Sequence, residues 1–99
     1  MNKSSVIKRN QEREVLVEEL AVRVRSILET HSGIGEKVRE LTPDASLWDA
    51  GMESLATVRV VIALEEEFDI AFEDGMLEKN PFDSVSSITS VVAEMVSGR

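Results

Sequence analysis

A chain of 99 residues has room for one hydrophobic core and not for two. It is 42% hydrophobic and 30% charged, a globular composition, and it lacks cysteine, which excludes a disulfide scaffold, a thiolate nucleophile and cysteine-ligated metal. The net charge of −8 is concentrated, since residues 44–79 hold ten Asp/Glu against Arg59 and Lys79, a surface that repels nucleic acid and steers basic protein surfaces toward it.

Residues 1–10 carry basic side chains but no apolar stretch of the kind a secretory signal needs, and no apolar run approaches the roughly 20 residues of a membrane span. A cytoplasmic protein without membrane or nucleic-acid partners is the expectation. The same ten residues show no periodicity and read as a flexible tail ahead of a single domain over 11–97.

Over residues 11–30, Val17, Leu20, Ala21, Val24, Ile27 and Leu28 recur at spacings of three and four, one apolar stripe on a helix. His31-Ser32-Gly33 supplies its stop, with His31 placed to neutralise the last carbonyls. Residues 31–53 form a long connection. Such a length needs anchors, and Val38, Leu41, Leu47 and Trp48 are the apolar candidates. Ser46, with Asp49 three residues on, resembles a capping box. Trp48 reads as an anchor packed on the core edge rather than a ligand-stacking ring.

The second strong helix covers residues 55–67. Leu55, Val58, Val61 and Ile62 make its expected inner stripe, with Phe68 closing the far end. Ser54 stands where an N-cap stands, and Gly51 permits the sharp turn before it. Glu65-Glu66-Glu67 opposes the helix dipole, a local cost without local compensation that points to recognition. Ile70 and Phe72 are expected to point inward from a loop. A short helix over 73–80 follows, with Met76 and Leu77 inward and Pro81 as its stop. Asp83 or Ser84 then caps a last helix whose stripe is Val85, Ile88, Val91, Val92 and Met95. No strand pattern competes, so the fold class is all-α, a bundle.

The residues for catalysis are absent. His31 is the only histidine, and Ser54 lies in Gly-x-x-Ser, not in the Gly-x-Ser-x-Gly turn of a hydrolase. No glycine-rich phosphate loop precedes a lysine. The acidic run at 69–75 fails as a calcium loop because Ala71 falls at a ligand position. Ser54 has a different potential. The N-terminus of a helix offers unpaired N–H groups and a positive dipole end, a setting suited to an attached phosphate.

Leu47, Gly51 and Ser54-Leu55, followed by Ala63-Leu64-Glu65-Glu66-Glu67-Phe68-Asp69-Ile70, resemble the acyl carrier protein family. The resemblance implies a four-helix bundle with a long first loop and a short third helix. It implies a monomer that catalyses nothing and carries a covalent 4′-phosphopantetheine arm on Ser54. A phosphopantetheinyl transferase would attach the arm. An acyl- or aminoacyl-loading ligase would charge its thiol, and downstream acyl-transfer enzymes of fatty-acid, polyketide or specialised biosynthesis would take the cargo. Glu53, Leu55, Arg59, Glu65 and Glu66 would form the recognition face, and Val58, Val61 and Ile62 an acyl groove, although core is their simpler role. Family members most often have Asp before the serine and acidic residues two and five positions after it. Here these are Glu53, Ala56 and Arg59, which implies dedicated partners. Two alternatives stand beside fatty-acyl cargo: an aminoacyl carrier loaded by a synthetase-like ligase, and an unmodified acidic adaptor in which Ser54 is only a cap.

Overall fold

The computed structural model describes the backbone of residues 2–78 and 80–98, and the side chains of residues 14–77 and 80–98. Four α-helices follow in chain order: α1 (Asn2–His31), α2 (Ser54–Phe68), α3 (Asp74–Glu78) and α4 (Val85–Ser97). Two short 3₁₀ helices, Gly35–Glu40 and Pro81–Asp83, lie between α1 and α2 and between α3 and α4. Among the described residues there is no strand. The all-α expectation holds.

Helix α1 is the frame, packing against α4, α2 and the first 3₁₀ helix. Its buried line is Leu20, Val24 and Leu28, one residue per turn, with Ile27 packed beside them. Val17, expected in the stripe, is exposed. The helical backbone also runs through residues 2–10, the stretch read as a tail. Those residues contain neither Pro nor Gly, and a helix once nucleated gains one hydrogen bond for each residue added. At the other end Ser32 N–H donates to Leu28 O at 2.9 Å. Gly33, at φ +85°, then turns the chain, a conformation that costs glycine little.

The orientation of α2 corrects the sequence reading. Its buried line is Ala56, Val60, Leu64 and Phe68, whereas Leu55, Val58 and Ile62 are 77%, 57% and 50% exposed. The helix is apolar on two faces, and the larger side chains mark the outer one. Phe68 was the reliable marker: stepping back four residues at a time from it gives Leu64, Val60 and Ala56, the row that faces the core. The acidic end of α2, which has no local compensation, is met instead from a distant part of the chain. Arg23 of α1 pairs with Glu67, its Nε at 2.9 Å from Oε2. It also donates to the Glu67 carbonyl at 3.2 Å and stacks over Phe68 at 4.5 Å from the ring centroid. Glu65 Oε2 accepts the Phe72 N–H at 2.9 Å. Two of the three carboxylates therefore hold structure together.

The long connection is tied down by hydrogen bonds to distant parts of the chain. Leu47 N–H donates to Asp83 O at 2.8 Å, Ser86 N–H to Pro43 O at 2.8 Å, and the Arg25 guanidinium to Val38 O at 2.7 Å. Val38 and Leu47 are fully buried, so this segment behaves as part of the core rather than as a free loop. Near its start Arg39 pairs with Glu29, which raises the Arg39 pKa above its ordinary value, first through the hydrogen bond and then through charge. Helix α4 is capped by Ser84, whose Oγ accepts the Ser87 N–H at 3.1 Å. It buries Val85, Ile88, Thr89 and Val92, leaving Val91 and Met95 half-buried. Ile70 and Phe72 pack against the core, and Phe72 meets Phe82 edge-on at 5.6 Å.

Candidate functional site

The turn that leads into α2 is built from three residues with separate roles. Gly51 adopts φ +116°, which a side chain would oppose. Met52 is buried and its N–H donates to Leu47 O at 3.0 Å, which fixes the turn to the core. Glu53 is extended and exposed, and it is the N-cap residue of α2, though its side chain accepts no capping hydrogen bond. Ser54 is therefore the first helical residue and not the cap, a correction of one position. The reason lies in Glu53, whose carbonyl accepts the first helical N–H groups, from Ala56 at 3.0 Å and Thr57 at 3.3 Å. The Ser54 side chain is left exposed on the first turn of a 15-residue helix.

Beside Ser54 lies an open recess of about 450 Å³ lined by Trp48, Ser54, Thr57 and Asn80. Trp48 is half-buried, and its indole N–H donates to Asp83 Oδ1 at 3.0 Å. That bond holds the ring as a wall, so the anchor role and a place in the recess coincide. Ser46 Oγ accepts the Asp49 N–H at 3.1 Å, supporting the turn from below. Asn80 takes a left-handed conformation, φ +51°, ahead of Pro81. Asparagine is one of the few side chains that tolerates this region.

A second, apolar cavity of about 270 Å³ is lined by Val58, Val61, Ile62, Leu77 and Phe82, with Thr57 and Asn80 at its edge. Val58 and Ile62 are not core, contrary to the simpler role considered for them; they border this cavity on the outer face of α2. Of the expected recognition residues, Glu53, Leu55, Arg59 and Glu66 are exposed on or beside α2. Arg59 makes no ion pair among the described residues. Glu65 is half-buried and occupied by Phe72. Thr57 and Asn80 were not singled out from the sequence. The available signals were the spacing of Thr57, one turn after Ser54, and the Asn-Pro pair before the last helix. No metal-binding cluster of His or acidic residues occurs among the described residues, and no described helix is long and apolar enough to cross a membrane.

The described helices thus present an exposed serine hydroxyl on the first turn of α2, beside an open recess, in an all-helical domain. Residues 22–93 match the family model for the phosphopantetheine attachment site. The chain is 32% identical over 76 residues to an aminoacyl carrier protein of Agrobacterium fabrum (strain C58), covering 77% of this chain and 92% of that protein. Among solved structures it is similar to one of an engineered glycine:[carrier protein] ligase from Bradyrhizobium japonicum, complexed with carrier protein from Agrobacterium tumefaciens and AMP. There the TM-score is 0.68 at 32% identity, covering 73% of this chain and 96% of that one. The chain belongs to the acyl carrier protein family, and the prosthetic group of its domain is a covalently attached 4′-phosphopantetheine. The residues present fit that group. An exposed hydroxyl stands at a helix N-terminus, where a phosphate is favoured, and the recess beside it is walled by side chains with polar atoms.

Proposed function

We propose that this chain is an aminoacyl carrier with the phosphopantetheine arm on Ser54. A phosphopantetheinyl transferase adds the arm in the cytoplasm, and a ligase then charges its thiol with an amino acid as a thioester. The chain itself, acting as a monomer, catalyses nothing. The observation that carries the reading is the exposed Ser54 at the start of α2, facing an open recess. The relatives favour amino-acid cargo, since one is an aminoacyl carrier and another was crystallised with a glycine:[carrier protein] ligase. Arg59 in place of an acidic residue supports a dedicated ligase over enzymes that read a uniformly acidic helix.

The test is loading. The phosphopantetheinylated protein is incubated with such a ligase, ATP and a panel of amino acids, and charged protein is scored by intact mass. Charging with one or a few small amino acids, reversed by hydroxylamine, is the expected result. A holo-protein refused by the ligase but charged with short fatty acids by an acyl-carrier synthetase would contradict the amino-acid assignment. That second reading, acyl cargo, is favoured by one observation, the apolar cavity under Val58, Val61 and Ile62, which suits an alkyl chain and not an ammonium group. The acidic adaptor reading predicts partner binding that survives Ser54→Ala, with no modification of either protein.

A further inference from the structure

Among the described residues, the recess beside Ser54 and the apolar cavity share two lining residues, Thr57 and Asn80. A flexible chain fixed at Ser54 Oγ and turned toward the cavity therefore runs along these two polar residues. Thr57 Oγ1 is buried and has no hydrogen-bond partner, the only such side-chain atom among the described residues. Within a helix a threonine hydroxyl commonly donates to the carbonyl one turn back. Thr30 does so to Ser26 O at 3.2 Å and Thr89 to Val85 O at 2.7 Å. Thr57 does not. The carbonyl one turn back from it, Glu53 O, already accepts two backbone N–H groups. A buried hydroxyl left unmet costs more than a typical hydrogen bond contributes, and each such group calls for a reason. The apolar side chains that line the cavity, Val58, Val61, Ile62, Leu77 and Phe82, offer a water no polar partner.

We propose that Thr57 and Asn80 form a polar latch for the phosphopantetheine arm, hydrogen-bonding its amide groups and laying it back along α2 toward the apolar cavity. The inference rests on attachment at Ser54. The chemistry matches on both sides. Each amide of the arm presents one N–H and one carbonyl, the threonine hydroxyl both donates and accepts, and the asparagine carboxamide supplies two donors and an acceptor. Asn80 is held in place by its backbone, with its N–H donating to Leu77 O at 3.0 Å and Pro81 fixing the next residue. Thr57 and Asn80 act as positioning residues. They set where the arm rests between visits to partner enzymes and take no part in thioester chemistry.

The experiment compares ¹⁵N-labelled apo and holo protein by NMR, for the parent and for Thr57→Val, Thr57→Ser and Asn80→Ala, with intact mass recorded for every sample. In the parent, addition of the arm is expected to shift the Thr57 and Asn80 backbone amides, the Asn80 side-chain amide and Leu77, as well as the residues next to Ser54. In Thr57→Val, which keeps the shape and removes the hydroxyl, the shifts at Asn80 and Leu77 collapse while those beside Ser54 remain; Thr57→Ser restores them. Asn80→Ala shows the same loss at Thr57, so the proposal stays open to test if one variant folds poorly. The apo form of Thr57→Val melts no lower than the parent, since it loses an unmet group. A fully modified parent whose shifts stop at the residues beside Ser54, or a Thr57→Val that keeps the parent pattern, overturns the latch. A parent whose mass does not change overturns attachment itself, and the mass record separates the two failures.

Discussion

Replacing Leu64 by alanine asks which face of α2 is the inner one. Leu64 is fully buried, in line with Val60 and Phe68 on the face that meets the core. The substitution loses the transfer free energy of the removed carbons and leaves a void that neighbouring side chains fill only in part. Together these cost about 2–5 kcal/mol. A domain of this size has about 5–15 kcal/mol in all, so the loss is a large fraction of its stability. It corresponds to a fall in melting temperature of roughly 10–30 °C. The same change at Leu55, 77% exposed and nine residues earlier on the same helix, alters stability by no more than about 0.5 kcal/mol. The assay is urea unfolding of the unmodified protein followed by circular dichroism, with a common slope required so that midpoints report stability. Equal costs at Leu55 and Leu64, or a mild effect at Leu64, would refute the orientation and with it the exposed position of Val58 and Ile62.

Ser84→Ala removes the oxygen that accepts the Ser87 N–H and is expected to destabilise the protein by about 1 kcal/mol in the same unfolding assay, without altering modification at Ser54. Arg59→Glu leaves the unfolding midpoint unchanged, because Arg59 is exposed and makes no ion pair among the described residues. It slows charging by a dedicated ligase roughly tenfold, read as the rate of thioester formation at low ionic strength, and the difference shrinks in added salt.

Much of the scaffold was legible because its signals are local. The stop at Gly33, the cap at Ser84 and the anchor at Leu47 each rest on one residue whose preference the fold leaves undisturbed. Helix α2 was misread for a physical reason. It carries apolar residues on both faces, and bulk on the outer face outweighs the small Ala56 that packs inward. Ser54 was located to within one position. The difference between N-cap and first helical residue depends on the backbone of Glu53, which side-chain preference does not report. Thr57 and Asn80 were overlooked because neither is unusual in isolation. What distinguishes them is that two openings meet between α2 and the turn before Pro81, a relation of parts distant in the chain. The pairing of Arg23 with Glu67 is likewise long-range, and it makes an acidic helix end without local compensation into a structural contact.

The central claim is that Ser54 carries the arm, and the absence of cysteine makes it directly measurable. The protein and Ser54→Ala are each incubated with coenzyme A, Mg²⁺ and a broad-specificity phosphopantetheinyl transferase, freed of excess reagent, and assayed for intact mass and titratable thiol. The account predicts one phosphopantetheinyl addition and one thiol on the parent, and neither on the variant. A folded parent that gains neither while a control carrier is modified, or a Ser54→Ala variant modified to the same extent, would contradict it.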